Sequence, residues 1–176
     1  MTHDPLVAEC LYDRSAIDGL IDKQACLLNA RYAETCPLVL CVMTGAVVYA
    51  GHLLPRLNFS LELDYVHASR YDEARSGGVL HWLVRPRKPV IGRDVLLLDD
   101  ILDEGVTLHE IAQWLKSEGA RSVEIAVLTH KEKLTPQPCQ PDYPALNTPD
   151  RYVYGFGLDV DGLWRNANGI FAASPV

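Results

Sequence analysis

Residues 95–108 read Val95-Leu96-Leu97-Leu98-Asp99-Asp100-Ile101-Leu102-Asp103-Glu104-Gly105-Val106-Thr107-Leu108. The apolar run Val95 to Leu98 suits a strand buried on both faces, as in a parallel sheet. It stops at two carboxylates, Asp99 and Asp100. A third acid, Asp103, precedes Glu104-Gly105-Val106-Thr107, and a helical pattern begins at Leu108. Strand, glycine loop and helix N-terminus together form an anion site: loop N–H groups and the helix dipole meet a phosphate, and Thr107 adds a hydroxyl. Three acids beside such a cradle would repel a bare phosphate. They suit a ligand that also carries hydroxyls and a metal ion, as a ribose phosphate with Mg²⁺ does. The competing reading is a strand-to-helix turn with solvated acids at a sheet edge.

The segments on either side alternate in the same way. Leu38-Val39-Leu40-Cys41-Val42-Met43 is a second apolar strand, and Thr44-Gly45 leads into a helix start at Ala46-Val47-Val48-Tyr49-Ala50. This is another candidate anion site, beside the alternative of a plain turn. Further upstream, Ser15 is positioned to cap a helix, with Asp18 at the capping-box position. Ile17, Leu20, Ile21, Gln24, Leu27 and Leu28 then predict an amphipathic helix to about Glu34. Leu61, Leu63 and Tyr65 alternate with Glu62, Asp64 and Val66 as in a strand, whereas Ala68 to Gly78 reads as a long mobile loop. Val79 to Val84 is a strand, and Arg85-Pro86-Arg87-Lys88-Pro89 a solvated basic turn.

Downstream, Leu108, Ile111, Ala112, Trp114 and Leu115 describe a helix stopped at Gly119. Val123 to Leu128 is the next strand, ending at Thr129-His130-Lys131 on the carboxyl edge, where parallel sheets hold their ligands. Residues 134–150, with prolines at 136, 138, 141, 144 and 149, read as a rigid irregular connection. The alternation of strand and helix predicts an α/β fold: an open, mostly parallel twisted sheet flanked by helices, in one domain over residues 1–176. Two readings of Lys131 stand at this point, a ligand contact and a surface lysine in the run Lys131-Glu132-Lys133. Tyr154 and Phe156 are equally readable as core.

Hydrophobic residues at 48% and charged residues at 22% are globular proportions. The net charge of −7 counts against a nucleic-acid or membrane-surface binder. Five cysteines, an odd number without a Cys-x-x-Cys pair, read as reduced thiols. With no basic, apolar leader at the N-terminus and no membrane-length apolar run, a cytoplasmic protein is expected.

The run of apolar strand, two acids, two apolar residues, Asp103, a variable residue, Gly105, a variable residue and Thr107 resembles the phosphoribosyl-pyrophosphate signature of the type I phosphoribosyltransferases. The spacing from Pro149-Asp150 through Gly155 and Leu158-Asp159 to Arg165-Asn166 resembles the purine branch of that family, and the likeness runs from about Leu38 onward. It implies a hood over the sheet, formed by the N-terminal segment and roughly residues 131–176. It also implies a reaction: a 6-oxopurine, hypoxanthine or guanine, plus phosphoribosyl pyrophosphate gives the nucleoside 5′-monophosphate and pyrophosphate. In that reading Asp103 handles the purine N7 proton. Asp99 and Asp100 take the ribose hydroxyls, and Glu104, Gly105, Val106 and Thr107 hold the 5′-phosphate. Thr44, Gly45 and Arg165 bind pyrophosphate. Lys131 contacts the purine O6, while Tyr152 stacks on the base and the Val153 backbone reads its edge. Asp159 and Asp99 hold Mg²⁺, and Ser69 and Tyr71 belong to a closing lid. The resemblance also implies a homo-oligomer, a dimer or tetramer.

This chain departs from the pattern at Thr44, Glu104 and Val106 and in the split Ser69-Tyr71 pair. Glu104, beside a phosphate, is expected to turn its side chain outward. Two rival readings accompany this one: a transferase for xanthine or another base, and a regulatory protein that senses phosphoribosyl pyrophosphate.

Overall fold

In the computed structural model, which describes residues 8–70 and 80–173, the strand β5 (Asp94–Leu102) is the middle of the architecture. Its apolar run is sealed: Val95, Leu96, Leu97 and Leu98 are all 0% exposed. The two-residue period divides them between two cores. Leu96 and Leu98 face one core, Val95 and Leu97 the other, as a strand covered on both faces requires. β5 pairs in parallel with β2 (Leu38–Val42) and with β6 (Ser122–Lys131). Outside these lie β3 (Glu62–Arg70), β4 (Leu80–Val84) and β7 (Tyr143–Thr148), giving a six-stranded sheet of order β4-β3-β2-β5-β6-β7. Every pairing is parallel except β3 with β4, so the expected α/β class holds.

One face is covered by α1 (Arg14–Tyr32) and α2 (Ala46–Leu53), the other by α3 (Val106–Ser117). The cap of α1 differs from expectation. Asp13, not Ser15, accepts the N–H of Ala16 at 2.8 Å, and the helix ends at Tyr32. Asp13 is extended at ψ 170° with its carboxylate over the first turn, which is the N-cap geometry. Leu27, assigned to the buried stripe, is 60% exposed, and Ala25 takes the inward position instead. α3 stops as predicted, with Gly119 at φ 87°.

Parts of two segments read as loops are strand, while the rest of the first, from Tyr71, lies outside the described residues. β3 continues to Arg70, with Ser69 opposite His81 on β4, because β4 takes up the ladder from His67 where that with β2 ends at Val66. The proline-rich connection contains β7, whose Pro144 is tolerated because this is an edge strand with β6 on one side only. Residues 143–148 therefore extend the main sheet, and the C-terminal part of the hood begins beyond Thr148. There β8 (Val153–Tyr154) and β9 (Gly169–Ala172) join β1 (Glu9–Asp13) in an antiparallel sheet of order β1-β9-β8. Among the described residues no helix is long and apolar enough to cross a membrane.

Gln24 is a buried polar residue that ties helices to sheet. Its amide donates to Val127 O at 3.0 Å and Tyr143 O at 2.7 Å, and its oxygen accepts from Tyr49 Oη at 2.7 Å. Tyr49→Phe leaves that oxygen buried without its donor. The variant should lose about 1–3 kcal/mol of stability in urea unfolding while keeping its secondary structure.

Candidate active site

The carboxyl ends of β2, β5 and β6, with the turn that follows β8, enclose a cleft of about 590 Å³. Its wall brings together fourteen of the residues singled out from the sequence: Thr44, Gly45, Asp99, Asp100, Asp103, Glu104, Gly105, Val106, Thr107, Lys131, Tyr152, Val153, Asp159 and Arg165. Of Ser69 only the backbone on β3 is described, and Tyr71 falls outside the described residues.

At the floor, Asp99 and Asp100 leave β5 side by side, with the Asp100 N–H donating to Asp99 Oδ1 at 2.9 Å. Burial pushes both carboxyls above the usual carboxylate range, Asp99 furthest because the charge of Asp100 adds to it. Arg165 relieves part of this, its guanidinium 3.9 Å from Asp100 Oδ2. Such crowding of like charge suits donors or cations arriving with a ligand.

Beyond Leu102 the chain turns through Gly105, at φ 77°, which starts α3 without a side-chain cap. The first bond into the helix is His109 N–H to Gly105 O at 2.9 Å, so the N–H groups of Val106 and Thr107 precede the helical ladder. Glu104 is exposed and forms part of the cleft wall. Cys139, from the β6–β7 connection, braces the loop by donating its thiol to Gly105 O at 3.2 Å.

The second loop follows β2. The Met43–Thr44 peptide is cis, and Gly45 lies hard against β5: a Cβ there would stand 2.0 Å from Asp100 Oδ2. Above it comes Gly157, at φ 109°, where a Cβ would stand 2.5 Å from Gly45 O. Arg165 donates to Gly157 O at 2.7 Å and pairs with Asp159 Oδ1 at 2.6 Å. The pair faces the cleft because the chain reverses at Asp161-Gly162, both at positive φ, under the Val160–Leu163 bridge. Asp159 Oδ2 accepts from Gly162 N–H at 2.8 Å, which leaves lone pairs on both oxygens. Among the described residues no three acidic, histidine or cysteine side chains are grouped to hold a metal by themselves, but the carboxylate oxygens of Asp99 and Asp159 are hard donors of the kind Mg²⁺ takes when a ligand brings further oxygens.

The other end of the cleft is built on Asp103. Lys131, the last residue of β6, is 7% exposed, not a surface lysine. It meets Asp103 Oδ2 at 2.6 Å, while Lys133 meets Oδ1 at 2.6 Å. Burial raises the pKa of Asp103, but the two ammonium groups outweigh it and hold the carboxyl below its ordinary value. Gln137 fixes the backbone here, donating to Asp103 O at 2.5 Å and Lys131 O at 3.2 Å. Tyr152, 56% exposed, and Val153, buried, stand on the hood side.

Lys133 and Gln137 are the members that sequence reading passed over. Lys133 had a signal: in extended chain it shares a side with Lys131, two residues before it. Gln137, a lone glutamine in a proline-rich connection, had none.

The sequence profile of the phosphoribosyl transferase domain matches residues 9–161. The chain is 31% identical to a hypoxanthine-guanine-xanthine phosphoribosyltransferase of Tritrichomonas foetus, over 94% of this chain and 93% of that one. It is 28% identical to a hypoxanthine-guanine phosphoribosyltransferase of Bacillus subtilis, over 99% and 97% of the two chains. Among solved structures, a hypoxanthine phosphoribosyltransferase of Trypanosoma cruzi superposes with a TM-score of 0.88 at 27% identity, covering 96% of each chain.

The contact of Gly45 with Asp100 generates a prediction. Gly45→Ala must move either the loop or the carboxylate, so affinity for a ribose-phosphate ligand, read by calorimetry, should fall by about 10²-fold. The melting temperature should change little, since the glycine lies at the cleft and not in either core.

Proposed function

The chain belongs to the phosphoribosyl transferase family, and from that premise we propose that it transfers a phosphoribosyl group from phosphoribosyl pyrophosphate to a 6-oxopurine, hypoxanthine or guanine, releasing pyrophosphate. The observation that carries this reading is the buried Lys131, paired with Asp103 across the cleft from the Asp99–Asp100 floor. A buried ammonium donates to the O6 of a 6-oxopurine, whereas adenine offers an amino group there. The names of the relatives support the same substrate class.

The residues divide the work by position. Asp99 and Asp100 accept from the ribose hydroxyls, and their negative field favours the charge that develops on the ribose ring in an oxocarbenium-like transition state. The loop Glu104–Thr107 gives backbone N–H groups and the Thr107 hydroxyl to the 5′-phosphate. Thr44, Gly45 and Arg165 receive the leaving pyrophosphate. Bound with that group and held by Asp99 and Asp159, Mg²⁺ would neutralise the departing charge. Tyr152 stacks on the purine and the Val153 backbone reads its edge. When Lys131 turns to O6, Asp103 Oδ2 is free to take the proton from N7 as the new bond forms at N9. Ser69 and Tyr71 are assigned to a lid that keeps water from the activated ribose. The same reading has one domain, a cytoplasmic protein with its cysteines as thiols, and a homo-oligomer.

The deciding assay mixes the protein with phosphoribosyl pyrophosphate, Mg²⁺ and, in turn, hypoxanthine, guanine, xanthine, adenine or uracil, and measures nucleotide formed. Hypoxanthine and guanine should react faster than adenine by about 10²-fold or more, and EDTA should abolish turnover. Lys131→Ala should act mainly on the KM of the base. Equal rates with adenine would sink the assignment.

Asp103→Asn keeps the size and hydrogen bonding of the side chain but removes its basic oxygen. Its kcat should fall by roughly 10²–10⁴ with the KM of phosphoribosyl pyrophosphate little changed. A protein that only senses its ligand would bind phosphoribosyl pyrophosphate as before and turn nothing over, with or without the substitution.

A further inference from the structure

Asp103 has a separate lysine on each carboxylate oxygen, and the two lysines are differently held. Lys131 reaches Oδ2 from the end of β6. Lys133 reaches Oδ1 from just beyond the sheet, where Glu132 N–H still bonds Thr148 O at 2.9 Å and keeps the chain extended. Its side chain is 16% exposed, and Asp150 Oδ1 stands 3.9 Å from its ammonium. The other ionisable groups near this carboxylate are Glu104 in the same loop, whose charge acts on Lys133, and Tyr152 from the hood. His130 meets Gln137, whose amide bonds the backbone carbonyl of Asp103 and not its carboxylate.

Base binding separates the two lysines. Once Lys131 turns to O6, Asp103 keeps a single cation, in a site where burial by itself favours the neutral acid. A protonated Asp103 has no basic oxygen to offer N7, and an unanchored one does not hold Oδ2 toward the base. We propose that Lys133 is a positioning residue of the transfer: acting through Asp103, it keeps that carboxylate charged and turned toward the base while Lys131 is engaged with substrate. This rests on the base-end roles given to Lys131 and Asp103 in the preceding subsection. Lys133 need not touch the substrate, and Asp150 serves to hold it in place.

Two measurements test the proposal. The first follows kcat with hypoxanthine against pH for the wild type, Lys133→Gln and Lys133→Arg, each checked for an unchanged melting profile. Removing the cation raises the pKa of Asp103, so a higher pH is needed to ionise it. The acid limb of Lys133→Gln should move to higher pH by about one unit, a loss of kcat that grows toward tenfold as the pH falls through the limb and vanishes above it. The KM of the base should change less than about threefold, and Lys133→Arg should restore the limb. An unmoved limb, a loss equal at every pH, or a raised KM with kcat intact would overturn the proposal.

The second measurement needs no turnover. Lys131→Met stands in for the departed lysine, and the side-chain carboxyl resonance of Asp103 is titrated by NMR in that variant and in Lys131→Met/Lys133→Gln. The midpoint should be higher in the double variant by about one unit or more. If the wild type forms no nucleotide from any base, the substrate reading fails on its own. The titration then decides for Lys133, and equal midpoints reject it.

Discussion

Two carboxylates held side by side where water is scarce form the constraint on which the rest of the cleft depends. Asp99 and Asp100 leave a strand whose preceding four residues are fully buried, so neither can retreat toward solvent without breaking the parallel ladder with β2 and β6. Burial and mutual repulsion make their charged forms costly in the free protein. The groups around them answer that cost: the Arg165 guanidinium from the hood and the uncapped start of α3 beside them. A floor that is unfavourable when empty suits a ligand bringing hydroxyl donors and a cation, as the ribose with Mg²⁺-bound pyrophosphate of the proposed reaction would.

The close approach of backbone to this floor determines how the hood sits. Gly45 leaves no room for a methyl group between its loop and Asp100, and Gly157 leaves none between the hood turn and Gly45. Three segments distant in sequence are thereby stacked in one line, from β5 through the loop after β2 to the turn after β8. Arg165 adds a hydrogen bond to Gly157 O and an ion pair to Asp159. Tyr152 and Val153, at the start of β8 just before this turn, line the same cleft as Lys131.

At the far end the electrostatics reverse. Asp103 is a single carboxylate between two ammonium groups, so it stays ionised where its neighbours on β5 resist ionisation. One short stretch of chain therefore holds acids of two kinds, a pair suited to receiving donors and a lone carboxylate suited to holding charge. In the proposed reaction the first serves the ribose and the second serves the base. Gln137 clamps the carbonyls of both Asp103 and Lys131, tying the loop after β5 to the end of β6.

The parts that residues 95–108 determined by themselves are those with a local cause. An apolar run of period two makes a doubly covered strand, two acids end it, and a glycine at positive φ starts the next helix. The same local reasoning found β2, β6 and the loop at Thr44-Gly45. The tertiary structure alone decided what depends on partners far along the chain. β7 is a strand because β6 offers its edge, although its own Pro144 and the prolines around it argue for a loop. Lys131 is buried, and not one solvated lysine among others, because the loop of Asp103 and the connection carrying Gln137 close over it. Propensity and periodicity report a residue's neighbours within a few positions. Burial and charge pairing report neighbours some thirty residues away, as Lys131 and Asp103 are, and those distances are set only when the sheet is assembled.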